Sequence, residues 1–224
     1  MTDVGPDKLA PMAGVRTLVI ITAMTACACS SPTEPSATAL TLPLTSSAWE
    51  TISTPQPLPM SNQNGALTFD FPVTGSGSMH YLFTASPLLA LRGTLAVTLR
   101  VATNGPVLFN LVDPGNCGIP PSVRPLIWAN ENGTGDYDRW WSNPRHFALG
   151  PGTTTIAVPL EPSSWSSVNG QVGNANARVQ FGFEKALLNV SRLGLTFGGG
   201  CSFGHGISVS GGAATFTLSE YVIR

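Results

Sequence analysis

Within GDYDRWWSNP, residues 135–144, two adjacent tryptophans stand beside an arginine and two aspartates, in a chain whose charged residues make up only 10% of the total. An indole needs no ionisation to grip a sugar. Its flat face stacks on the apolar C–H face of a pyranose, while neighbouring Asp, Asn and Arg side chains hydrogen-bond the hydroxyls. Asp138, Arg139, Trp140 and Trp141 are therefore candidate ligand contacts. Trp128, in LIWAN, joins them if its strand pairs back onto 136–142 through the loop ENGTG. His205 sits in FGHG among glycines that leave its ring room at the rim of a site, or in a plain turn where it caps a carbonyl. For each tryptophan the competing assignment is ordinary core; on a strand, successive side chains point to opposite faces, so Trp140 and Trp141 must part, one inward and one outward.

Other chemistries are less well supplied. Asn130, Asn132 and Asp136 alternate around two glycines in the manner of a calcium loop, without the closing bidentate glutamate; a structural calcium or a polar hairpin loop both fit, and no other cofactor is implied. Asp136 and Asp138 on one strand face would lie about 7 Å apart. That separation suits inverting glycosidases, but those enzymes place the two acids on opposite sides of the bond. A nucleophile elbow, a P-loop and a dinucleotide fingerprint are all absent from the sequence.

Net charge of -1, with Lys8 and Lys185 as the only lysines, leaves no basic patch for a phosphate backbone, so nucleic acid is not an expected partner. The first residues carry an address. LVIITAMTA, residues 18–26, follows Arg16 and precedes CACSSP, the layout of an export signal too short to span a hydrocarbon core of about 30 Å. MTAC resembles the lipobox of bacterial lipoproteins, which implies lipidation of Cys27 and anchoring in the cell envelope; ACA read as a type I signal-peptidase site would instead release a chain beginning at Cys29. Met12 offers an alternative start with a conventional signal behind it, and Ala28 in place of aspartate after Cys27 favours the outer membrane or periplasm. The expected organisation is a leader over 1–28, a Ser/Thr/Pro-rich tether over 29–47, and one folded domain over 48–224. Export also lets Cys117 and Cys201, the remaining pair, form a disulfide worth about 4 kcal/mol in the chain-entropy model; two buried thiols are the alternative.

The elements that position these residues follow from alternation. TLAVTLRV places Leu95, Val97, Leu99 and Val101 in one row; LTFDF, TTTIAVPL, RVQFGF, LGLTF and AATFTLS repeat the pattern. Turn sequences such as TNGP, DPGN and GPGT separate them, and only EKALLNV reads as a helix of one or two turns. One wet face per strand predicts an all-β, two-sheet antiparallel sandwich. From Trp49 to Arg224, the succession LRGTLAVTLRV, RPLIWAN, DRWWSNP, GTTTIAVPLEPSSW, ALLNVSRLGLTFGGG and ATFTLSEYVI resembles the galactose-binding-domain-like jelly rolls that include many carbohydrate-binding modules. The resemblance implies a non-catalytic carbohydrate-binding module. A protein-interaction module of an envelope assembly and a glycan hydrolase are the rival functions.

Overall fold

A computed structural model describes residues 39–114, 118–130, 135–143, 146–199 and 204–224. The first third of the described chain holds β1 (Leu40–Thr41), β2 (Glu50–Thr54), β3 (Ser61–Gln63), β4 (Ala66–Asp70), β5 (Ser78–Leu89) and β6 (Thr94–Asn104). The middle holds β7 (Leu108–Leu111), β8 (Ser122–Ala129), β9 (Arg139–Ser142), β10 (Phe147–Ala148), β11 (Gly152–Pro159) and β12 (Trp165–Ser167). A single described α-helix, α1 (Ala177–Leu187), precedes β13 (Val190–Gly198), β14 (Ile207–Ser210) and β15 (Ala213–Ile223).

These strands make two antiparallel sheets. One has the order β11-β6-β15-β4-β3, with β1 beside β15; the other runs β12-β9-β8-β13-β5-β14-β7, with β10 on β8 and β2 on β5. The alternating rows close against each other as expected of a sandwich. Leu95, Val97, Leu99 and Val101 of β6 are all buried, as are Leu193, Leu195 and Phe197 of β13 in the facing sheet. Phe69, Phe71, Phe197 and Phe216 interlock with ring centroids 4.9 to 6.2 Å apart, mostly edge to face. Each such ring stabilises the fold by about 1.5–3 kcal/mol through burial. Tyr221 of β15 crosses the core to donate its hydroxyl to the Gly194 carbonyl at 3.2 Å, joining the two sheets by a polar contact in an apolar layer. Its full burial pushes the phenol pKa above the ordinary 10.0.

Two boundaries differ from the sequence expectation. RVQFGF is not a strand: residues 178–183 lie in α1, which is three turns long. Asn176 caps it by accepting hydrogen bonds from the Arg178 and Val179 amides at 3.0 and 3.1 Å. Val179, Phe183, Ala186 and Leu187 then share a buried face at helical spacing, and Phe181, which the alternation placed beside them, is 67% exposed. A local cap and a helical period that coexists with a period of two outweighed the β-propensity of Val and Phe. The ordered body also begins before Trp49. Leu40 and Thr41 pair with Ile223 and Val222, the Leu42 amide donates to the Tyr221 carbonyl at 2.9 Å, and Leu42 is buried, so residues 40–42 extend a sheet where a tether was expected.

Candidate functional site

The β8–β9 hairpin brings part of the expected set together. Trp128 pairs with Arg139, Ile127 with Trp140 and Leu126 with Trp141. Because β8 is central, its outward row of Arg124, Leu126 and Trp128 continues across the sheet. One register row reads Arg139, Trp128, Arg192 and Ala85; the next reads Trp141, Leu126, Gly194, Phe83 and Glu50; a third reads Arg124, Thr196, Tyr81 and Ile52. The opposite face of these strands is the sandwich core, so the three rows make up the outer face of the larger sheet.

Trp128 is the hub of this face. Its ring lies 6.3 Å from Tyr81 and 6.1 Å from Phe83, and the guanidinium carbons of Arg139 and Arg192 stand 5.5 and 5.0 Å from its centroid. Arg192 also covers Phe83 at 4.7 Å. Both arginines and Trp128 are half-buried, and no carboxylate among the described residues forms an ion pair with either arginine. The Trp128 Nε1 and the Arg139 Nε are shielded from solvent without an acceptor among the described residues, as is the Thr196 hydroxyl. Leaving a buried donor unmatched costs about 1–3 kcal/mol. Burial raises the Tyr81 phenol pKa above 10.0, and the nearby Arg139 charge partly offsets that rise. Arg124, deeper in the sheet, donates to the Ser142 carbonyl at 3.4 Å, and burial lowers its pKa to about 10.

The remaining expected contacts are placed elsewhere. Trp140 belongs to the core: it is fully buried, donates from Nε1 to the Tyr137 carbonyl at 2.8 Å and meets Phe183 edge to face at 5.0 Å, so it has no surface left for a ligand. Trp141 does take the outer face, but it is 2% exposed and is not a displayed platform. The pair thus parts between the two faces as a strand requires, with neither ring open to solvent. Asp138 is turned into its own loop, accepting from the Asn130 amide at 2.6 Å and from the Gly135 backbone N–H at 2.7 Å. Asn130 is thereby committed to closing the turn, Asp136 is exposed nearby, and Asn132 lies outside the described residues. No cluster of three acidic, histidine or cysteine side chains among the described residues is arranged to hold a metal. His205 is exposed on the loop before β14, 3.3 Å from the Asp113 carboxylate. Cys27, Cys117 and Cys201 all lie outside the described residues.

Sequence reasoning missed Tyr81, Phe83, Arg124 and Arg192. Each occupies the position opposite a core row, and the period-two row Arg124, Leu126, Trp128 was the signal available for one of them. It also missed a polar latch. Ser78 and the His80 Nε2 are 2.8 Å apart, the His80 Nδ1 is 3.0 Å from the Gly204 carbonyl, and Thr54 reaches the Ser78 hydroxyl at 2.8 Å. With Nδ1–H donating to the carbonyl, the serine hydroxyl donates to Nε2, the tautomer of a serine–histidine dyad. The surroundings do not suit nucleophilic attack. Ser78 is buried, with Gly206 packed beside its hydroxyl, so the hydroxyl is not open to solvent. The latch instead holds the 204–206 loop to β5, where Gly204, at φ +73, packs so closely on Tyr81 that a Cβ would stand 1.9 Å from the phenol oxygen.

No protein-family model matches this chain, and no curated protein matches it. Among solved structures, it is similar to a family 29 carbohydrate-binding module variant complexed with mannohexaose, at 9% identity and a TM-score of 0.40 over 83% of this chain and 90% of that one. It is likewise similar to a variant complexed with cellulohexaose, at 10% identity and a TM-score of 0.40 over 83% and 89% of the two chains.

Proposed function

We propose that this protein binds carbohydrate on the outer face of its larger sheet, as a non-catalytic module. The observation that carries the reading is Trp128: a half-buried indole at the centre of an outward-facing sheet, ringed by Tyr81 and Phe83 and flanked by two arginines that pair with no described carboxylate. A pyranose requires an apolar ring face to stack on and partners for its hydroxyls; the two guanidiniums lie over the Trp128 ring, so a sugar stacks there as they turn to its hydroxyls. The contacting set is accordingly Trp128, Arg139, Tyr81 and Arg192. Lipidation at Cys27 would hold the module at the cell envelope, and loss of palmitate labelling in Cys27→Ala tests that part independently.

Affinity electrophoresis of the full chain through gels containing single polysaccharides tests the binding. Retardation in at least one gel is expected, and Trp128→Ala is expected to weaken it about tenfold or more, the loss that accompanies truncating an aromatic anchor. No retardation by any polysaccharide would overturn the reading and favour a protein partner, and release of reducing sugar would overturn its non-catalytic part.

A further inference from the structure

The charge of the outer face bears on which glycans it accepts. Arg139 and Arg192 stand on either side of Trp128 in one register row. Against them, the three rows contain a single carboxylate, Glu50, at the far edge beyond Phe83. Among the described residues, no nearby acid pairs with Arg139 or Arg192. Asp138 is engaged by Asn130 and the Gly135 amide, and the described ion pair of Glu220 is with Arg224.

This imbalance among the described residues is unusual for a chain with net charge of -1 and eleven lysines and arginines in all. Half-buried guanidiniums are normally matched by a carboxylate, because withdrawing a charge from water without a counter-charge is costly. The donor inventory points the same way. Guanidinium nitrogens donate and never accept, so Arg139 and Arg192 present donors only. A neutral sugar hydroxyl satisfies such groups with one hydrogen bond each. A carboxylate or sulfate oxygen accepts from them as an anion, and a guanidinium binds it with two parallel bonds.

We infer that the outer face selects an anionic glycan, one bearing uronate carboxylates or sulfate esters, with Arg139 and Arg192 clasping the acid group on either side of the Trp128 ring. This rests on the carbohydrate-binding reading and narrows its ligand class. Retention on the unlike neutral polymer is the result that separates the two.

Affinity electrophoresis of the full chain is run against polygalacturonate, its carboxyl-reduced neutral counterpart, dextran sulfate and dextran. Retardation by polygalacturonate or by dextran sulfate, each well above its neutral counterpart, is expected, and which of the two is retained distinguishes carboxylate from sulfate. Arg139→Gln and Arg192→Gln are each expected to weaken that retention by about tenfold to a hundredfold. The wild-type protein alone supplies a second measurement: added salt must weaken anionic binding progressively, since the attraction is screened. Equal retention by neutral and anionic polymers, or retention by neutral polymers alone, overturns the inference while leaving carbohydrate binding intact. Retention by none overturns the inference, and the carbohydrate-binding reading falls with it only when no other polysaccharide retards the protein either. Anionic retention that survives the double Gln substitution in a folded variant, shown by an unchanged thermal melt, also overturns it.

Discussion

Trp128 and Trp140 lie on neighbouring strands one register row apart, yet their removal should read out in different experiments. Trp140→Ala takes away a fully buried indole, its hydrogen bond to the Tyr137 carbonyl and its packing on Phe183, and is expected to cost about 3–5 kcal/mol of stability, measured by denaturant unfolding. Trp128→Ala is expected to leave the protein folded with a smaller loss, because its ring is only half-buried, and to express itself in glycan retention. If Trp128→Ala unfolds the protein as severely as Trp140→Ala, the ring is structural and the proposed platform fails. Gly194 gives a third residue-scale test. A Cβ there would stand 2.0 Å from the Leu82 carbonyl, inside the β13–β5 pairing, so Gly194→Ala is expected to be strongly destabilising. The opposite faces of Trp140 and Trp141 were legible in the sequence, since a strand obliges neighbours to part. Which face would be covered was not, because that depends on chain segments distant in sequence.

At the scale of elements, α1 is held by its cap and by its contact with the turn before β9. Asn176→Ala is expected to cost about 1 kcal/mol by removing the two capped amides. Gly182→Ala ought to gain about 1 kcal/mol from helix propensity alone. Here the added methyl would meet the Tyr137 ring at 2.6 Å, so a net loss of stability is expected, with the thermal midpoint as the measurement. Phe181→Ser, on the exposed side of the same helix, is expected to change stability by about 0.5 kcal/mol or less. The misassignment of this segment has a specific cause: Val179, Phe181 and Phe183 alternate as a strand would, while Val179, Phe183 and Ala186 recur as a helix would. Only packing distinguishes two periods that share residues. The strands fared better, since β6, β11, β13 and β15 each repeat their period long enough to exclude a helix.

At the scale of the molecule, two of the three tyrosines link the fold to alkaline pH. Burial raises the pKa of Tyr221 and of Tyr81 above 10.0, the value each regains on unfolding. The native state therefore holds protons that the unfolded chain releases above pH 10, so this contribution is intact below pH 10 and is lost as pH rises beyond it. In an alkaline titration followed at 295 nm, the phenolate signal of these two residues is expected to develop together with loss of the folded near-ultraviolet spectrum. Full three-tyrosine ionisation in a protein still folded would contradict the burial. The sequence by itself determined that this chain builds a two-sheet antiparallel sandwich, because period-two rows of apolar residues can be buried on one side only by a second sheet. It also determined that Trp128 and Arg139 could meet, because the loop joining LIWAN to DRWW is short enough for a hairpin. Only the tertiary structure decided that Tyr81, Phe83 and Arg192 stand beside them. Those residues arrive on β5 and β13, and strand order across a sheet is set by how distant segments share one core, a property that no local pattern encodes.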